Sequence, residues 1–188
     1  DDSITLKVKT APTEFAGKYS VYFVENSKKL ITIPQGDSKV GKLAIQMPKI
    51  GDGVASGTYT FTVQVTSDNG TTSILTDDKV ASIDLSLTVL ALHDVKILTD
   101  QNSSQVRLGF SKTFNVVVQN RGTANDQFDM SVEHPNYGTS VDFNLSTIQT
   151  GVLTPLGQET VKLTIKIYNS ADTNWGSVWC KVIAKYSQ

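Results

Sequence analysis

Apolar and polar residues alternate along this chain in short runs rich in Val, Ile, Thr, Tyr and Phe, broken by Gly, Asn, Asp and Pro. In the first run Ile4, Leu6 and Val8 share one face, while Thr5, Lys7 and Lys9 share the other. A two-residue period marks β-strands with one buried face. No long segment repeats apolar residues at the i, i+3, i+4, i+7 spacing of a helix. The alternation predicts strands at 4–9, 18–24, 29–33, 40–47, 58–66 and 80–92 in the first half. In the second half it predicts strands at 95–98, 113–119, 127–132, 140–145, 160–168 and 177–185. Turn signals punctuate them: Pro34-Gln35-Gly36, Asp68-Asn69-Gly70, Asn120-Arg121-Gly122 and Pro155-Leu156-Gly157. Many short strands with regular punctuation predict an all-β chain of sandwich architecture.

The two halves resemble each other. Pro34 to Val40 leads into Lys42-Leu43-Ala44-Ile45, and Pro155 to Val161 leads into Lys162-Leu163-Thr164-Ile165. Gly57-Thr58-Tyr59-Thr60-Phe61-Thr62-Val63 is matched by Gly176-Ser177-Val178-Trp179-Cys180-Lys181-Val182. The offset stays at 119–121 residues, as a repeated strand–turn–strand–loop–strand unit requires. The chain is therefore expected to form two immunoglobulin-like sandwiches, residues 1–92 and 93–188, each long enough for its own core. The link Ala91-Leu92-His93-Asp94 lacks Gly and Pro, which predicts a semi-rigid connection.

These motifs resemble the tandem immunoglobulin-like repeats of archaeal and bacterial cell-surface proteins. The resemblance rests on Val116-Val117-Val118-Gln119-Asn120-Arg121-Gly122, a strand followed by Asn-x-Gly, and on the passage from Pro34 through Gly57-Thr58-Tyr59 to Ser67. No Asn-x-Gly follows the strand at 4–9, where the first half departs from the pattern. The resemblance implies a fold and a surface location, and says little of function.

The repeat also exposes an asymmetry. After the 58–66 strand the first half continues to a long strand at 80–92, whereas only Tyr186-Ser187-Gln188 come after the 177–185 strand. Domain two is thus expected to lack its closing strand, leaving a strand edge and a slot into the core. The N-terminal segment 1–10 is suited to fill such a slot in another copy. Ile4, Leu6 and Val8 would be the donor residues, and Val178, Cys180 and Val182 the acceptor strand. Burying three such side chains is worth roughly 5–9 kcal/mol. Head-to-tail donation does not close on itself and yields a filament. That logic resembles pilus and thread filaments joined by donor-strand complementation, including the adhesive threads of archaea. Two other arrangements fit the same residues: the 4–9 strand pairs with its own 80–92 strand, or the 95–98 strand covers the open edge of domain two. The rival function is a non-polymeric spacer or carbohydrate-binding pair, with Trp175, Trp179 and Tyr137 as the aromatic candidates. Of these Trp179, inside an apolar strand, reads as core.

Composition narrows the function classes. The 17 basic and 18 acidic residues leave a net charge of −1 and no cationic stretch, which excludes nucleic acid as a partner. Charged residues make up only 19%, against 40 Ser and Thr and 10 Asn, a surface suited to a secreted wall or fibre. The chain opens Asp1-Asp2-Ser3 without Met, as expected of a mature protein whose leader has been removed. No run spans a bilayer. The single Cys180 forbids an intrachain disulfide and reads as a buried core residue. Asn69, Asn102 and Asn144 head Asn-x-Ser/Thr sequons and are the glycosylation candidates. His93 at the domain junction and His134 before Pro135 stand in no catalytic motif, and Asp77-Asp78 and Asp126/Asp129 lack EF-hand spacing. No enzyme, cofactor or metal is expected; the partners expected are other copies of the chain and surface glycans.

Overall fold

A computed structural model of the chain describes residues 2–47, 49–68, 79–168 and 177–187. The described chain is all-β, twelve strands and one 3-10 turn at Thr13–Phe15. It divides into two compact units, Asp1–Pro48 with Gly57–Val89, and Lys49–Ser56 with Leu90–Gln188. The second unit thus takes in residues 49–56, which the sequence pattern places in the first. They are held there by the Ser56 N–H on the Thr123 carbonyl (2.6 Å) and by Arg121 Nη2 on the Ile50 carbonyl (3.2 Å).

The first unit contains β1 (Asp2–Thr10), β2 (Tyr19–Phe23), β3 (Leu30–Ile33), β4 (Gly41–Ile45), β5 (Gly57–Asp68) and β6 (Lys79–Val89). One sheet runs β3-β1-β5-β6, and β2-β4 forms the other. Their apolar rows meet in a core of Leu6, Val21, Phe23 and Val63. Phe15, fully buried, sets its ring edge-on against Tyr59 and Phe61 at 5.1 and 5.6 Å. Four strands face two, so the core-facing row of the outer strand is left uncovered. Ile83 and Leu85 lie opposite the buried Val63 and Phe61, yet Ile83 is 58% exposed.

The second unit contains β7 (Val95–Thr99), β8 (Ser111–Asn120), β9 (Phe128–Glu133), β10 (Val141–Leu145), β11 (Gln158–Ile167) and β12 (Lys181–Tyr186). One sheet runs β10-β11-β8-β7 and the other is β12-β9. Between them lie Val118, Phe128, Met130, Leu153 and Val161. Lettered as an immunoglobulin sandwich, β7 to β12 are strands A to F: the sheets are DEBA and CF, and no described strand takes the G position beside F. By the same lettering β2 and β4 of the first unit are B and E, and β3, β5 and β6 are C, F and G. There β1 does not join B; it is inserted between C and F.

The turn signals have physical causes. The Asp37 N–H closes on the Pro34 carbonyl (3.1 Å) around Gly36 at φ 86°, and the Gly157 N–H closes on the Thr154 carbonyl (2.7 Å) around Leu156 at φ 63°. Both turns need a left-handed residue at their third position, and only the first supplies glycine there. The Asn-x-Gly motif is a fully buried lock. Asn120 Nδ2 donates to the Ala124 and Leu153 carbonyls (2.7 and 2.8 Å), and Oδ1 accepts the Gly122 N–H (2.8 Å). A side chain on Gly122 would run into the Leu92 carbonyl oxygen. Asn120→Ala strips partners from three backbone groups at once. It should cost about 3–5 kcal/mol, read as a lowered denaturant midpoint at unchanged m-value.

Candidate functional site

The inward residues of β8 are Lys112, Phe114, Val116 and Val118, and their burial rises along the strand: Lys112 and Phe114 are half-buried, the two valines buried. The facing strand β11 shows the same gradient, Val161 and Leu163 buried against half-buried Ile165 and Ile167. Register explains it, because Lys112 pairs with Ile165 and Phe114 with Leu163 at the same end of the sheet. Opposite that end the smaller sheet stops, since the β9–β12 ladder begins only at Glu133 and Lys181. The result is a groove of about 800 Å³. Ile97, Phe114, Ile165 and Ile167 line one wall, and Val178, Cys180 and Val182 the other.

Val178, Cys180 and Val182, the residues expected to form an acceptor strand, thus line one groove, although only Val182 stands in a strand. Residues 177–180, expected to begin the last strand, are not in a ladder. Beyond Glu133 the partner chain turns away through His134-Pro135, and proline has no N–H to extend the pairing. The Tyr137 hydroxyl takes over instead, accepting the Trp179 N–H at 3.0 Å and lying 3.3 Å from the Trp179 carbonyl. Trp179 is 59% exposed at the rim, not the core residue the sequence suggests. Among the described residues β12 pairs with β9 alone. Strand β7, which the sequence offers as a cover for that edge, pairs with β8 in the opposite sheet.

The donor residues have a place within their own unit. Strand β1 pairs antiparallel with β3 and with β5, and not with β6. Leu6 is 4% exposed in the first core, with Ile4 and Val8 packed beside it. Gly41 makes room for it, since a side chain there would stand 2.8 Å from Leu6 Cδ1. The sequence offers the 80–92 strand as the in-unit partner of residues 4–9; the structure corrects this, holding them by two ladders to β3 and β5 and by a fitted recess.

Of the sequons, Asn102 is exposed on the groove lining and Asn144 is exposed on the edge strand β10. Asn69 and Trp175 lie outside the described residues, as do Asp77 and Asp78. His134 stacks on Phe143 at 4.2 Å, with Tyr137 completing a three-ring cluster. His93 Nδ1 lies 2.7 Å from Asp126 Oδ1, and the ring stacks on Tyr186 at 4.1 Å. The Asp126 side chain is wholly buried, and its Oδ2 has no partner among the described residues. This pair ties the 90–94 segment to the end of β12 and is structural in its geometry. No cluster of three or more His, Cys, Asp or Glu able to hold a metal occurs among the described residues. Nor is any helix there long and apolar enough to cross a membrane.

No family model and no curated protein matches the chain. Solved structures do. Domains 4 and 5 of the S-layer protein SbsC align at TM-score 0.39 and 13% identity, covering 94% of this chain and 75% of that one. The complex of the chaperone CsuC with the tip adhesion subunit CsuE, from archaic chaperone-usher Csu pili of Acinetobacter baumannii, aligns at TM-score 0.43 and 13% identity. It covers 100% of this chain and 85% of that one. Both similarities are too distant to assign a role.

Lys112 and Phe114 carry no motif, and no local pattern singles them out. A signal is nonetheless present: both share the parity of Val116 and Val118, and a lysine at a core-facing position is unusual. Burial raises the pKa of the Cys180 thiol on the groove wall. The thiolate is the reactive form, so alkylation of Cys180 by iodoacetamide should be slower in the folded protein than in the unfolded chain at neutral pH. The shift is upward, so its contribution to stability is complete below the unfolded thiol's pKa and is lost as pH rises through the folded value. Labelling at equal rates in native buffer and in guanidinium would refute a desolvated thiol.

Proposed function

We propose that the chain is a non-enzymatic structural subunit of an extracellular surface assembly, in which a β-strand of one copy enters the second unit of the next. The observation that carries this reading is a pair of opposite anomalies. The first unit holds one strand too many, β1 between C and F, and the described second unit holds one too few, beside F. In an ordinary immunoglobulin sandwich C and F pair directly. Departure of β1 therefore allows β3 to close on β5 and regain a ladder, while β1 gains the edge of β12 and the apolar groove behind it. The side chains it would bury, Ile4, Leu6 and Val8, are the same in either place, so the exchange is close to balanced and a low-cost route to polymer. The hydroxyl- and amide-rich composition suits a surface location. Each joint is heterologous, so copies add end to end.

A second reading, recognition of surface carbohydrate, is favoured by the exposed Trp179 beside the His134, Tyr137 and Phe143 rings. Loss of glycan binding by a Trp179→Ala protein that is monomeric throughout would select it.

Deleting residues 1–9 would open the first core, so locking β1 at home is the cleaner test. Thr5 and Thr66 are register partners on β1 and β5. A Thr5→Cys, Thr66→Cys protein that keeps Cys180 on the groove wall, oxidised, should stay monomeric in size-exclusion chromatography and negative-stain microscopy. Reduction should release concentration-dependent filaments. Monomers in both states sink the filament reading, and filaments in both states exclude β1 as the donor.

A further inference from the structure

Lys112 is the one charged residue among the described residues lining the groove. It stands on the inner face of β8, half-buried, two positions before Phe114. Neither salt bridge in the described structure involves it. A wholly apolar occupant would drive this ammonium further from water with nothing to offset its desolvation. An occupant with a carboxylate at that end would neutralise it. In the sequence Asp2 stands two positions before Ile4, so an extended donor of this sequence would carry its carboxylate in the same alternate row as Ile4, Leu6 and Val8. The spacing matches, because Asp2, Ile4, Leu6 and Lys112, Phe114, Val116 each advance about 7 Å per step along an extended chain.

Resting on the strand-acceptor reading of this groove, we infer that Lys112 pairs with Asp2 of a second copy and so sets the direction and register of the incoming strand. Lys112 and Lys181 are early residues of β8 and β12, and both strands run from the groove end toward the buried core. With Asp2 at Lys112, the donor runs parallel to β12. Ile4 then lies over Phe114 and Leu6 over Val116. The reverse direction would bring Thr10 to Lys112 and leave the ammonium without a counter-charge. In such a donor Asp1 has the opposite sequence parity and would take no part.

The acceptor for the test is the full chain with β1 locked by the disulfide described above. The probe is a fluorescent, N-acetylated peptide of residues 1–10, followed by anisotropy. The wild-type peptide should bind with an affinity that falls as salt rises. Asp2→Asn should weaken it roughly fivefold, as an ion pair of partly buried character does, while Asp1→Asn should change little. Lys112→Glu should weaken the wild-type peptide and restore binding of an Asp2→Lys peptide. Should Lys112→Glu fail to fold by circular dichroism, Lys112→Met is expected to abolish the difference between the wild-type and Asp2→Asn peptides. Equal binding of those two peptides to the unsubstituted acceptor overturns the pairing and leaves the groove as an acceptor. Absence of binding by every peptide overturns both.

Discussion

A β-strand carries a row of backbone donors and acceptors on each edge, and both rows must find partners in protein or water. The edge of β12 away from β9 is where that requirement bears hardest on this chain. Among the described residues no strand lies beside it, and the apolar row behind it faces a four-stranded sheet with no described strand laid between. Lys112, Phe114, Ile165 and Ile167 are half-buried where the β9–β12 ladder has not yet begun, at the end of the sandwich where no described strand lies beside the chain leading into β12. The buried end of the same unit, around Val118, Phe128 and Val161, shows how the core packs when two sheets do cover one another.

The first unit answers the same requirement with excess. Strand β1 satisfies both of its edges at once, between β3 and β5. The recess above Gly41 gives Leu6 a shaped seat. Strand β1 is thus well held in its own unit, and the exchange proposed above requires that β3 and β5 recover each other when it leaves. Under that proposal one ladder is traded for another, so small differences in register and charge decide the balance.

The strand positions were legible because each strand has one wet and one dry face, and alternation records that directly. All twelve runs marked in the sequence correspond to strands. Alternation does not say which strand is the neighbour. Ile4, Leu6 and Val8 read equally well beside β6, where the structure does not put them, and between β3 and β5, where it does. The stretch Val178–Ile183 is largely apolar and reads as one strand, but a strand lasts only as long as its partner, and β9 ends just before Pro135. That cut left Trp179 at the surface, held through its backbone by a tyrosine 42 residues away in sequence, a contact no local pattern announces. The groove of the second unit has no local signature in the sequence, because it is made by two sheets of unequal reach. The lysine at its mouth needed only a parity count along β8.

The assignment of residues 49–56 to the second unit bears on how the chain can be taken apart. Neither unit is a contiguous stretch of the gene. A fragment beginning at residue 90 would forfeit the buried Val54 and the Ser56–Thr123 hydrogen bond, and one ending at 89 would carry that segment as an orphan loop. During synthesis the second unit holds one of its own pieces in waiting, for some thirty residues, before the rest of it leaves the ribosome. The chain therefore passes from one unit to the other three times, at 48–49, 56–57 and 89–90, and each sandwich is completed only out of the order in which its pieces are made.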